Sequence, residues 1–212
     1  MKSCFAFIPV FLSAHLAQAT ILYDQSTGAT NNGWYSDATL PNPQSLGDDF
    51  LVTATWDVES IQWLGVYENS TAFADSFLVN VWTTNGAGLP VSPLAFNPGT
   101  VARLATGQQT SWGWDIYQYT LPLNAPLSLN PGTFVLEIQN NTPASQRNWA
   151  WLTSAGPRFY YHREGTWYQG DAGTLKFKIE GSVVPEPSSA MLLTLAVLGL
   201  FSRSRKHWVQ LN

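Results

Sequence analysis

Leu175-Lys176-Phe177-Lys178-Ile179-Glu180 alternates apolar and charged residues without interruption. Successive side chains of a strand point to opposite faces, so Leu175, Phe177 and Ile179 share one face and Lys176, Lys178 and Glu180 the other. Outward from it, residues 132–139 alternate after the Asn130-Pro131-Gly132 turn, and residues 77–83 place Phe77, Val79 and Val81 together. Residues 61–67 and 115–121 add two more strands, and 49–53, 149–152 and 159–162 add shorter ones. Asn32-Gly33, Asn85-Gly86, Pro98-Gly99, Gly156-Pro157 and Gly170-Asp171 punctuate them as turns. Between these runs no 3.6-residue apolar repeat occurs, so the pattern predicts an all-β body over residues 20–182. Eight or so strands without helices form a single antiparallel β-sandwich, jelly-roll-like in path. Residues 24–46 read as an N-terminal strand followed by a long loop.

Composition agrees. Charged residues make up 11% of the 212, aromatic residues 14%, and there are 10 Trp. That mixture suits strands and turns better than a helical bundle. Between the two ends lie six basic residues, Arg103, Arg147, Arg158, Arg163, Lys176 and Lys178, against thirteen acidic ones, a net charge near −7. Nucleic-acid binding needs clustered Lys and Arg and is excluded on this balance. The single Cys, Cys4, lies near the N-terminus, so the body has no disulfide or Cys-based metal site.

Lys2 and the apolar run 5–12 precede Ala17-Gln18-Ala19, the order of a secretory signal peptide over residues 1–19. Small residues at Ala17 and Ala19 predict cleavage after Ala19 by signal peptidase. At the other end, Val184-Pro185-Glu186-Pro187 is stiff and extended, because each Pro fixes its own φ and restricts its predecessor. A hydrophobic helix of about 188–202 follows, then a basic stop of Arg203, Arg205 and Lys206. Such a helix anchors in the inner membrane with its basic end in the cytoplasm and the body outside.

This order of Val-Pro-Glu-Pro, short hydrophobic helix and Arg-rich end resembles the PEP-CTERM sorting signal, and here it fills residues 183–212. The resemblance implies processing by an exosortase-like inner-membrane enzyme, and export to the cell surface or extracellular matrix of a bacterium that makes exopolysaccharide. In the body, Gly47-Asp48-Asp49-Phe50, Trp56, Ile61-Gln62-Trp63, Phe77-Leu78-Val79 and Phe177-Lys178-Ile179-Glu180-Gly181 resemble the sandwich bodies of many PEP-CTERM proteins, which carry no assigned activity.

Chemistry in the body is sparse. His162 is its one histidine, and neither a nucleophile elbow, a zinc motif nor a phosphate loop occurs. No catalytic residue is assigned. A glycosidase needs two facing carboxylates, for which Glu59, Glu68, Glu137 and Asp115 are the alternatives. Glu137 and Glu180 read instead as solvent-facing members of their strands. Asp48-Asp49, with Asp24 or backbone carbonyls, is a candidate structural calcium site, although an acidic pair capping a turn at a strand start is the favoured reading; no other cofactor is expected. The aromatics carry more information. Trp112-Gly113-Trp114 and Trp149-Ala150-Trp151 would each place two rings on one strand face, and Trp167-Tyr168 sit in a Gly-flanked loop. Such rings stack on sugars or fill a sandwich core. The expectation is a non-enzymatic surface or matrix protein binding exopolysaccharide, with a secreted carbohydrate-active enzyme as the alternative.

Overall fold

A computed structural model describes residues 19–28, 32–68, 75–142, 148–170 and 173–185. The expected signal peptide up to residue 18, Glu186, Pro187, the expected hydrophobic helix and the basic residues Arg203, Arg205 and Lys206 lie outside them. Every described element is a strand. An eight-stranded sheet holds β1 (Thr20–Asp24), β2 (Gly33–Tyr35), β4 (Trp56–Tyr67), β7 (Ala102–Gln109), β8 (Asp115–Leu129), β10 (Trp149–Ser154), β13 (Thr174–Leu175) and β14 (Phe177–Val183). A six-stranded sheet runs in the order β12 (Thr166–Gln169), β11 (Tyr160–Arg163), β3 (Ser45–Val52), β9 (Gly132–Asn140), β5 (Phe77–Thr84), β6 (Pro90–Pro93). Strand pairs are antiparallel throughout, and the chain changes sheet at most connections, the rolled path of a jelly-roll-like sandwich.

β4 is the spine. β8 pairs along one edge, while β14 and then β10 share the other, with Phe177 opposite Trp63 and Trp149 opposite Tyr67. The core between the sheets joins Leu46, Phe50, Leu136 and Ile138 from one sheet to Trp63, Tyr119, Trp149, Trp151 and Phe177 from the other. Several of its rings meet edge to face: Phe77 lies 5.1 Å from Trp149 at 74° and 4.9 Å from Tyr119 at 67°. Offset and edge contacts of this kind suit the quadrupoles of aromatic rings. Gly65 makes room for them, since a Cβ there would lie 2.3 Å from Cζ2 of Trp149.

The alternating strands fall where their pattern predicts: Leu175, Phe177 and Ile179 are buried in one row. Two side chains do not follow it. Lys176 is only 4% exposed and donates from Nζ to the carbonyls of Ser26 and Gly28, because the chain before β2 folds over it. Glu137 is 2% exposed rather than solvent-facing, for reasons that belong to the hairpin described below. The loop expected over 24–46 contains β2, a three-residue strand whose ladder partner is β10, and Asn32-Gly33 enters that strand instead of turning. Trp167-Tyr168 lie on β12, not in a loop. Glu164 and Gly165 both have positive φ, 51° and 77°, the two-residue type I′ geometry that closes a hairpin and favours Gly at its second position.

Candidate functional site

Four aromatic residues singled out in sequence separate cleanly in space. Trp149 and Trp151 are 0% exposed and belong to the core, so they are not sugar platforms. β10 is central, and its odd-numbered residues face the opposite sheet. Trp112 and Trp114 do not lie on a strand at all. They sit in the turn between β7 and β8, where Thr110 N donates to Trp114 O at 2.9 Å and Gly113 N to Thr110 O at 3.0 Å. Gly113 takes φ 79°, and the fold-back brings the two indole centroids to 5.2 Å at 54°.

This turn lies against the outer face of the eight-stranded sheet. Trp114 packs with Tyr35 and Leu64 on a second, smaller apolar cluster of Val66, Ile116, Ala150 and Leu152. Ala150 pairs with Val66 and Tyr35, and Val66 with Ile116, so one row crosses four strands on the side away from the core. Trp112 is 49% exposed above it. A depression of about 500 Å³ is lined by Tyr35, Trp112, Trp114, Gly33 and Ala150. Gly33 pairs with Leu152, which lines a second depression of about 650 Å³ with Leu64, Leu104, Gln109 and Gln118. Leu64 and Gln118 continue into a third of about 130 Å³ with Gln62 and Lys178. Gln118 Nε2 donates to Gln62 Oε1 at 3.1 Å, and Gln109 Nε2 to Asp115 Oδ1 at 2.9 Å. The result is an open groove with indole rings at one end and carboxamides along its length. Sugar rings present apolar C–H faces and hydroxyl rims, and this surface offers a partner for each.

The groove's charged edge is pre-organised. Lys178 and Glu180 pair at 2.7 Å, and Glu180 also accepts from Ser60 and Gln62. Partial burial raises the Glu180 pKa, but these partners outweigh it and the net shift is downward. Lys176, at the groove floor, is pushed down by burial, with Asp24 opposing.

The other outer face carries Trp167. Its ring stacks on His162 at 4.7 Å and meets Trp82 edge-on at 5.5 Å. Gly47 lies beneath: a Cβ there would come within 3.2 Å of Trp167 and 2.7 Å of Val135. This roof seals Glu137, which accepts from Asn80 Nδ2 at 2.8 Å, Trp82 Nε1 at 2.7 Å and the Ser45 hydroxyl, and lies 3.2 Å from His162 Nδ1. Glu137 is therefore a structural acceptor joining β3, β5, β9 and β11. Glu68 likewise holds Asn148 Nδ2, at 3.0 Å. Tyr168 stacks on Tyr161 at 5.0 Å, on the opposite side of the hairpin from Trp167.

Asp48 and Asp49 diverge, as consecutive strand residues must. Asp48 is 1% exposed and points into the core, where Oδ2 accepts from Gln25 Nε2 at 2.7 Å and Leu175 N at 2.6 Å and Oδ1 from Asp49 N at 2.9 Å. Burial raises its pKa to about 8 despite those three donors. Asp24 is spent on Ser26. Among the described residues no group of three or more His, Asp or Glu stands together as metal ligands, and the Asp48 and Asp49 carboxylates do not converge.

β14 ends at Val183, opposite Trp56, and Val184 N donates to Thr55 O at 2.8 Å. Pro185 has no N–H to continue the ladder. The chain thus leaves the sandwich directly into the Val184-Pro185 start of the sorting segment; of the two predicted cleavage residues, Ala17 lies outside the described part and Ala19 just precedes β1. No helix among the described residues is long and apolar enough to cross a membrane.

An all-β sandwich passing straight into a C-terminal sorting segment defines the class: an exported protein whose address is carried by its tail. Residues 183–206 match the family model of the PEP-CTERM protein-sorting motif, so the chain carries the sorting signal of an exported protein handled by exosortase. No curated protein and no solved structure matches it.

Proposed function

We propose that this protein is a non-catalytic surface or matrix module that binds extracellular polysaccharide along the groove on the eight-stranded sheet. The observation that carries this reading is the Trp112–Trp114 pair, folded by the Thr110–Gly113 turn onto a face that also presents Tyr35. Strand alternation alone would not bring two indoles to the surface there. The carboxamides of Gln62, Gln109 and Gln118 supply hydroxyl partners further along. Across the three depressions the lining side chains include one carboxylate, Asp24, rather than a facing pair. That lining favours binding over glycoside hydrolysis, which requires a facing acid pair. Targeting completes the proposal: signal peptidase cleaves after Ala19, and the tail holds the protein in the inner membrane until exosortase acts.

The test is titration of the full chain with exopolysaccharide, following Trp fluorescence and reducing ends together. Quenching without new reducing ends, lost in the Trp112→Ala/Trp114→Ala double variant, supports the reading. Release of reducing ends that a single Glu→Gln change abolishes establishes the enzyme instead.

A further inference from the structure

A second cavity, of about 290 Å³, opens at the edge of the sandwich where β2 of one sheet faces the β11–β12 hairpin of the other. It is separate from the groove, sharing none of its lining residues. Buried Leu46 and Phe159 form its floor. Trp34 forms one wall, 43% exposed, with its ring 5.4 Å from Phe159 and tilted by 49°. Across from it stand Tyr161, stacked on Tyr168, and the polar side chains of Gln44, Arg163 and Gln169.

Arg163 is the one charged residue of this lining. Its Nη2 donates to Gln44 Oε1 at 2.8 Å, and Gln44 Nε2 in turn donates to Tyr35 O at 2.7 Å. The carboxamide is therefore a strut from β2 that sets the guanidinium plane without neutralising its charge. Nε of Arg163 is enclosed and has no acceptor among the described residues, and no described carboxylate lies within ion-pair distance of Arg163. An oriented guanidinium with no carboxylate partner among the described residues matches a planar carboxylate. A cavity of this size, at the small end of ligand sites, takes a single ring rather than a chain.

We infer that the edge cavity is a binding site for a carboxylated pyranose, a hexuronate residue, with the sugar ring against Trp34, its carboxylate on Arg163, and hydroxyls toward Gln169. The site confers acid-sugar selectivity on a body whose overall charge is negative, and its operation does not depend on the groove.

Isothermal titration of the full chain in detergent with D-glucuronate, D-glucose and acetate tests this. Glucuronate should bind at least tenfold more tightly than either glucose or acetate. Arg163→Gln should weaken glucuronate tenfold or more, Arg163→Lys should weaken it less, and Trp34→Ala should weaken it while leaving the thermal midpoint nearly unchanged. Trp112→Ala/Trp114→Ala should leave glucuronate binding intact, so failure of the groove reading and of this one are told apart. Equal affinity for glucose, equal affinity for acetate, indifference to Arg163→Gln, or no heat with glucuronate at all would each overturn the assignment.

Discussion

Asp48→Asn tests the most consequential buried group in the sandwich. Asp48 lies 1% exposed in the core, and its pKa is raised to about 8 by burial, above the ordinary carboxylate value of 3.8. Between those two values the folded state holds a proton that the unfolded chain has released. Stability attached to this group is thus complete below the unfolded pKa and is lost as pH rises through the folded one. The slope is about 1.4 kcal/mol per pH unit, so from pH 5 to pH 8 the group removes about 4 kcal/mol. Against a typical domain stability of roughly 5–15 kcal/mol that is a large fraction. The substituted side chain has nothing to titrate. Its carboxamide oxygen can keep the long-range donors Gln25 Nε2 and Leu175 N and forfeits only the local bond from Asp49 N, about 1 kcal/mol at every pH. Asp75, also raised by burial, and Glu180, lowered, titrate in both proteins and cancel in the difference. Urea unfolding followed by Trp fluorescence at pH 5, 6.5 and 8 reads this directly. Asp48→Asn should gain steadily on the wild type as pH rises. A difference between the two proteins that stays constant over that range would refute the argument, since it would mean Asp48 titrates alike in both states.

Trp151→Ala should lower stability by about 3–5 kcal/mol in the same assay, because it empties a core position, whereas Trp112→Ala should change it by under about 1 kcal/mol and weaken polysaccharide binding instead. Glu137→Ala strands Asn80, Trp82, Ser45 and His162, and should cost about 2–4 kcal/mol in chemical unfolding, with Glu137→Gln milder because it retains an acceptor. Gly65→Ala should raise little soluble folded protein, since its Cβ would lie 2.3 Å from the Trp149 ring on the core side of the central strand. Replacing Pro185, Glu186 and Pro187 together with Ala should leave the chain unprocessed in the membrane fraction by immunoblot, with the sandwich's unfolding curve unaltered.

The legible parts of the fold are those in which local pattern and final environment coincide. β14, β9 and β5 alternate in sequence and pack their apolar rows on the core, because each has one face toward it. Glu137 and Lys176 break the pattern for one reason: a strand's second face reads as wet, but a distant segment can cover it. For Glu137 the cover is Trp167, brought across by a two-residue turn at Glu164 and Gly165; for Lys176 it is the chain at Ser26 and Gly28. Similarly, β2 has no pattern of its own, since three residues become a strand only where β10 supplies the partner.

The two Trp-x-Trp pairs show the same division most sharply. Their spacing is identical, yet one pair fills the core and the other caps a surface groove. Burial depends on which sheet face a segment meets, and that is settled by pairing with residues far away in the chain. Composition, alternation and the order of motifs at the two ends were enough to determine an all-β exported protein with a sorting tail, because those signals are read locally, by the backbone and by processing enzymes. Which rings meet water, which carboxylates are sealed, and where Arg163 finds Trp34 were decided only by tertiary structure, since each depends on contacts between residues far apart in the chain.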